Sequence, residues 1–174
     1  MPANLDPPLG ADDHVTGADD APFELVMYGD FQCPYCVASI SILRRVRERL
    51  DGRLRFAFRH MPLPTHPDAD NAAQAAEAAA AQGAFWPMYD ALYSARGRLS
   101  LDDLATHAKA IGIDGERLRR EVLEGVHAER VARDARSARA AGIAGTPAFF
   151  VNGVLHEGSF DAGSLVAALG APVA

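Results

Sequence analysis

The chain has 174 residues, of which 49% are hydrophobic, and its formal net charge is −6 at pH 7. This length fits one well-buried domain and is too short for two ordinary ones. The acidic balance argues against binding to nucleic acid or to an anionic membrane surface, because both carry negative charge. No apolar run approaches the roughly 18 residues that span a bilayer, so we expect neither a nucleic-acid partner nor a membrane span.

The first 20 residues are predicted to form an N-terminal extension rich in proline, aspartate and glycine. They lack the basic start and the apolar segment that identify a secretory signal. We therefore expect a cytoplasmic protein. A periplasmic or extracellular location is the alternative if a signal has been removed from the chain.

A β-α-β unit follows this extension. Residues 23–28 are an apolar run typical of a buried strand, and residues 29–32 form the turn into a helix. This helix is predicted from Pro34 to about Leu50, since proline suits a first helical position where its missing N–H has no partner. A second strand follows and ends in a proline-rich loop.

Helical patterns separated by glycines fill residues 67–141. Ser100 and Asp114 precede two of these helices and are expected to be their N-caps, because their side chains can accept hydrogen bonds from the first free N–H groups. The sequence therefore predicts an all-helical insertion of about residues 67–141 between two halves of a sheet.

Strand character returns just before the dipeptide Asn152-Gly153 and resumes just after it. Asn-Gly between two apolar runs is the strongest short-range signal for a β-hairpin. A last helix is predicted after Ser159 or Asp161. The order is β-α-β, helical insertion, β-β-α, which indicates one α/β domain over residues 1–174.

The chemistry centres on the only two cysteines, in Cys33-Pro34-Tyr35-Cys36. A dithiol at a strand-to-helix junction indicates thiol–disulfide exchange, because the free N–H groups and the dipole of a helix start favour a thiolate. Cys33 is the expected nucleophile. Cys36, one turn further in and less accessible, is the expected resolving thiol. Exchange requires no metal or organic cofactor, and we expect none.

Two other interpretations of the cysteine pair were weighed. A structural zinc site would need His60 or His66 among its ligands, because the chain has no second cysteine pair. A structural disulfide would close too short a loop to restrain the unfolded chain. Thiol–disulfide exchange is favoured over both.

The element order, the cysteine motif and Thr146-Pro147 before the hairpin resemble the DsbA-like family of thiol–disulfide oxidoreductases. The resemblance is closest to stand-alone members and to the domains fused to sodium/proton antiporters. It implies a thioredoxin fold with a central mixed sheet, whose halves are about residues 22–62 and 143–170. The phrases that carry the resemblance lie at residues 13–15, 28–31, 33–36, 58–63, 85–86 and 145–153.

The resemblance also implies roles for matching positions. Pro34 and Tyr35 would tune the redox potential, towards a moderately oxidising couple. Thr146 would offer backbone groups to an extended substrate peptide, and Pro147 would be the cis-proline opposite the dithiol. Many relatives have a buried acid six positions before the attacking cysteine, where this chain has Met27. The sequence therefore offers no obvious buried carboxylate that could deprotonate Cys36.

The expected function is that of a protein thiol–disulfide oxidoreductase. Its partners would be protein or peptide thiols and disulfides, with glutathione as a further candidate, and no oligomeric state follows from the sequence. One alternative is a glutathione-dependent reductase or isomerase of the same fold. Another is a redox-sensing binding module that does not turn over.

Other conspicuous residues receive structural interpretations. His60 is expected to make a local backbone hydrogen bond rather than to approach the dithiol. The aromatic residues around Trp86 are expected to be core. The four arginines spaced three apart, at positions 130, 133, 136 and 139, are expected to form a solvated helix face.

Overall fold

The computed structural model of the protein describes residues 1–170. Within this range no helix combines the length and the apolar character that crossing a bilayer requires. The elements in chain order are β1 (His14–Thr16), β2 (Phe23–Gly29), α1 (Pro34–Leu50), β3 (Leu54–His60), α2 (Ala69–Ala80), α3 (Phe85–Ser94), α4 (Leu101–Ala110), α5 (Gly115–Leu123), α6 (Ala128–Ala140), β4 (Ala148–Val151), β5 (Val154–Leu155) and α7 (Ala162–Ala168).

The sheet is mixed and has the strand order β1-β3-β2-β4-β5. Strands β2 and β3 are parallel, so α1 serves as the crossover helix that parallel strands need. The other neighbouring pairs are antiparallel. Helices α2 to α6 all lie in sequence between β3 and β4. The predicted central mixed sheet and all-helical insertion are thus confirmed.

Both faces of β2 are buried, because the sheet lies between two layers. Leu25 and Met27 point into the larger core, which contains residues of α1 and of most of the insertion. Val26 and Tyr28 point the other way, into a smaller core that includes Leu5 and a residue of α6. This alternation follows from the two-residue period of a strand. It places the carboxyl end of β2, which leads to Cys33, deep within the molecule.

The N-terminal extension joins the sheet at both of its edges, which the sequence did not indicate. Strand β1 pairs with β3 at one edge. At the other edge, Leu5 N donates to Gly153 O over 2.7 Å, and Leu155 N donates to Ala3 O over 2.8 Å. These contacts occupy edge groups that would otherwise be free to pair with another chain.

The predicted caps and the hairpin turn are confirmed. The hydroxyl of Ser100 and the carboxylate of Asp114 each accept the N–H three residues further on, and Asp161 does the same for α7. Asn152 and Gly153 have φ values of 47° and 82°. Positive φ at both central residues is what a type I′ hairpin turn requires.

Candidate active site

The two cysteines lie at the start of α1, as the sequence predicts. Cys33 is the N-cap residue and Pro34 opens the helix. Both thiols are free, and both residues are buried, with 3% of Cys33 and 0% of Cys36 exposed. Tyr35 between them is 68% exposed. Cys36 is thus the less accessible thiol, whereas Pro34 and Tyr35 between the cysteines are exposed.

The loop before β4 lies against Cys33. The Sγ atom of Cys33 donates to the backbone oxygen of Thr146 over 3.4 Å, although 113 residues separate the two in sequence. The Thr146–Pro147 peptide bond is cis. Pairing of β4 with β2 holds this loop beside the helix start. The structure therefore brings Thr146 and Pro147 together with the dithiol.

Cys36 has a strongly perturbed thiol. Burial raises the pKa of Cys36 to about 12. Two groups act in the opposite direction without offsetting burial. The Asp30 N–H donates to Cys36 Sγ over 3.4 Å, and the Thr146 hydroxyl lies nearby but has no partner in hydrogen-bonding geometry. Cys36 is therefore a neutral thiol near neutral pH.

Asp30 places a buried carboxylate beside the dithiol, at a position that the sequence analysis does not single out. Its Oδ1 accepts the N–H groups of Gln32, over 2.7 Å, and of Cys33, over 3.1 Å. Its Oδ2 accepts Leu63 N and His66 Nδ1, each over 2.8 Å. An Asp that accepts N–H groups two and three residues ahead is a local turn motif, and this spacing before Cys33 was the overlooked signal.

The path of the chain into this turn depends on Gly29. A Cβ atom at Gly29 would lie 2.5 Å from Phe58 Cε2 and 2.8 Å from Tyr93 Oη. Glycine therefore lets β2 pass the aromatic cluster and deliver Asp30 to the helix start. Met27, in the position where the resemblance places an acid, is fully buried in the apolar core. The carboxylate of this site comes from the turn and not from the strand.

A family model described as thioredoxin matches residues 10–171. The chain belongs to the thioredoxin family. Among solved structures it is similar to BdbD from Bacillus subtilis, with a TM-score of 0.87 and 23% identity over 98% of this chain and 97% of that one. It is also similar to a thioredoxin-like oxidoreductase from Silicibacter pomeroyi, with a TM-score of 0.82 and 26% identity over 92% of each chain. The thiol-disulfide exchange protein alpha-DsbA2 from Wolbachia pipientis has a TM-score of 0.80 and 20% identity over 92% of this chain and 87% of that one. The predicted thioredoxin fold, and with it the likeness in fold to DsbA proteins, is thereby confirmed.

A curated relative confirms the predicted resemblance to a part of sodium/proton antiporters. The chain is 42% identical over 158 residues to a Na(+)/H(+) antiporter NhaA 1 from Salinispora arenicola, and 90% of this chain is covered. The chain spans only 24% of that relative's length. The similarity therefore concerns one part of the longer protein.

In this thioredoxin-family chain, His60 is bonded to a carboxylate, so the expected local backbone bond is wrong. Its Nε2 lies 2.7 Å from Glu77 Oε1, and His14 Nε2 lies 2.8 Å from the same oxygen. Burial acts to raise the pKa of Glu77, but the hydrogen bonds with His14 and His60 outweigh it and hold the pKa well below its ordinary value. His14, His60 and Glu77 lie far apart in sequence, so no local sequence pattern indicates that they are hydrogen-bonded.

Among residues 1–170, the same three residues form the group that could hold a metal ion, because their donor atoms lie within 4.8 Å of one another. The group is His14, His60 and Glu77, and neither cysteine belongs to it. The Arg130 guanidinium lies 3.9 Å from Glu77 Oε1, where its charge competes with a cation. His66, the other histidine weighed for zinc, is bonded to Asp30.

The remaining conspicuous residues have structural contacts. Trp86 packs on Phe56 and donates to Val15 O over 3.3 Å, which ties β1 to the insertion and confirms the aromatic residues as core. Three of the four arginines on α6 are exposed, as expected. Arg130 differs, because it is partly buried and forms an ion pair with Asp134.

Proposed function

We propose that the chain is a protein thiol–disulfide oxidoreductase that acts through Cys33 and Cys36. The observation that carries the proposal is the arrangement of the pair, with Cys33 at the N-cap of α1 facing Thr146 O and Cys36 one turn deeper. A thiolate at that cap is stabilised by the free N–H groups of the first turn. The description of a similar structure as a thioredoxin-like oxidoreductase supports the same class of reaction.

The proposed reaction proceeds in two exchange steps. The Cys33 thiolate attacks one sulfur of a substrate disulfide, forms a mixed disulfide and releases the other substrate sulfur as a thiolate. Cys36 then loses its proton and attacks Cys33 Sγ, which forms the Cys33–Cys36 disulfide and releases the second substrate thiolate. Two electrons pass from the dithiol to the substrate, and the reverse sequence oxidises a substrate dithiol.

The proposed substrates are proteins or peptides in extended conformation. Thr146 presents backbone groups beside Cys33, in the loop that leads into β4. An extended peptide laid along this loop can pair with it by main-chain hydrogen bonds, as in strand addition. The exposed side chain of Tyr35 would lie against such a peptide. Proline and tyrosine between the cysteines would set the redox potential.

Insulin reduction and oxidative refolding assays on wild type, Cys33→Ser and Cys36→Ser test the proposal. We expect wild-type turnover, and loss of turnover in both variants. Cys36→Ser should accumulate a mixed disulfide on Cys33 that is visible in intact mass spectra. If Cys36→Ser kept its activity with glutathione, the result would instead support a glutathione-dependent reductase or isomerase. No wild-type turnover in either assay would overturn the proposal in favour of a binding module.

A further inference from the structure

Asp30 contacts both cysteines through hydrogen bonds. Its carboxylate accepts the N–H of Cys33 over 3.1 Å, and its own N–H donates to Cys36 Sγ over 3.4 Å. The side chain itself is fully buried. A buried charge of this kind requires hydrogen-bond partners, and here they are three backbone N–H groups and one imidazole.

His66 connects this buried carboxylate with solvent. Its Nδ1 donates to Asp30 Oδ2 over 2.8 Å, and 22% of its side chain is exposed. With Nδ1 fixed on the carboxylate, Nε2 is the nitrogen that can exchange a proton with water. His66 also lines a cleft of about 600 Å³ between the proline-rich loop and α6. The imidazole thus has one side on the active-site turn and the other on a wet surface.

We propose that Asp30 and His66 form a carboxylate–imidazole pair that positions the dithiol and makes its reactivity depend on the charge of His66. This inference rests on the proposed thiol–disulfide exchange. Asp30 and His66 are positioning residues in this role, because the reacting sulfur atoms are those of the cysteines.

The sign of the effect follows from electrostatics. When His66 is neutral, the pair carries one negative charge beside the dithiol, which disfavours a thiolate on Cys33. When His66 is protonated, the pair is neutral overall and this penalty is removed. A protonated His66 therefore increases the thiolate fraction at a given pH.

Other charged and titratable groups lie around the pair. Burial raises the pKa of one of them, the Tyr93 hydroxyl, well above its ordinary value. The groups concerned, besides the two cysteines, are Asp68 on Gln32, Asp70, Arg136 and Arg139 along the cleft, and Tyr93 in α3.

The test is the rate at which iodoacetamide alkylates Cys33 in the reduced protein between pH 5 and 8.5. The Cys33 thiolate displaces iodide and forms a thioether, so the rate reports the thiolate fraction without requiring turnover. His66→Asn keeps a side-chain donor near the position of Nδ1 but never carries a charge. We expect the wild type to react about tenfold faster than His66→Asn at pH 5.5, and both to react within about twofold of each other above pH 8.

His107→Asn is the matched control, because His107 lies in α4 and bonds only to the backbone oxygen of Arg98. Its alkylation profile should overlay that of the wild type. Asp30→Asn removes the carboxylate that holds the imidazole beside the dithiol, so in that background His66→Asn should change the profile less than it does when Asp30 is present. The inference would be overturned if the ratio of the wild-type rate to the His66→Asn rate were the same at every pH. Failure of the proposed function has a different signature, which is the absence of insulin reduction by the wild type at every pH.

Discussion

Two buried carboxylates in this protein each bond to imidazole, yet their surroundings differ. Asp30 accepts three backbone N–H groups in addition to His66, all in the turn and loop around the dithiol. Within residues 1–170, Glu77 accepts no hydrogen bond from the backbone, and its partners are His14 and His60. The first carboxylate organises a loop, whereas the second joins β1 and β3 to helix α2 of the insertion.

The difference shows that burial and an imidazole partner are not enough to identify a reactive site. A carboxylate that accepts successive backbone N–H groups fixes the path of the chain, and with it the position of neighbouring thiols. A carboxylate that pairs only side chains from separate elements fixes how those elements pack. We therefore expect changes at Glu77 to alter stability alone and changes at Asp30 to alter both stability and thiol reactivity.

The largest effect on stability is expected for Glu77→Ala. This variant leaves the buried imidazole of His60 and the partly buried one of His14 without their carboxylate, which should lower the free energy of unfolding by about 3 to 5 kcal/mol. Glu77→Gln is the matched control and should cost less, because an amide oxygen can still accept hydrogen bonds. Urea unfolding measures both. A loss below about 1 kcal/mol in Glu77→Ala would show that this carboxylate does not hold β1 and β3 against α2.

A smaller loss of stability, coupled with altered chemistry, is expected for Asp30→Asn. The asparagine NH₂ group would face one of the N–H donors, so the variant should lose about 2 kcal/mol. Its rate of insulin reduction should change as well. Asp114→Asn, at the N-cap of α5, serves as control because asparagine caps a helix as well as aspartate does. A loss of stability with unaltered thiol kinetics would show that Asp30, like Glu77, affects stability alone.

Acid should weaken the protein partly through Glu77. Because the folded-state pKa of Glu77 lies below its ordinary value, its contribution is fully present above about pH 4.5 and is lost as the pH falls towards the folded pKa. In that interval one such group contributes a slope of about 1.4 kcal/mol per pH unit. Unfolding measured between pH 5 and 2.5 should therefore show a shallower decline for Glu77→Ala. Equal slopes in variant and wild type would contradict this assignment.

The smallest effect is expected for Arg133→Ala. Arg133 lies 3.3 Å from Asp12, and both side chains are well exposed. Surface pairs of this kind contribute little, so the change in unfolding free energy should stay below about 0.5 kcal/mol. A loss as large as that of Glu77→Gln would show that α6 holds the N-terminal extension through its exposed arginines.

Features that depend on neighbouring residues could be predicted from the sequence. The start of α1 at Pro34, the caps at Ser100 and Asp114, and the turn at Asn152-Gly153 all follow from the backbone chemistry of a few adjacent residues. The position of the dithiol followed from the same local logic. These are the features that the structure confirms.

Features that depend on distant partners could not be predicted. Strand β1 has three residues, too few for an alternating pattern to be recognised. The contact between His66 and Asp30 spans 36 residues, and that between His14 and Glu77 spans 63. Only the fold brings these side chains together. Asp30 itself has a local signal in its spacing before Cys33, whereas the resemblance places the acid in the strand, at the position of Met27.

The central claim is that Cys33 and Cys36 form a reversible redox pair. It is tested most directly by equilibrating the wild-type protein with glutathione at a series of ratios of reduced to oxidised form, quenching with acid and recording intact mass. We predict one two-electron transition, in which the chain loses two hydrogens and forms the Cys33–Cys36 disulfide. A chain that stays a dithiol at every ratio, or that ends with glutathione stably attached to Cys33, would contradict the account.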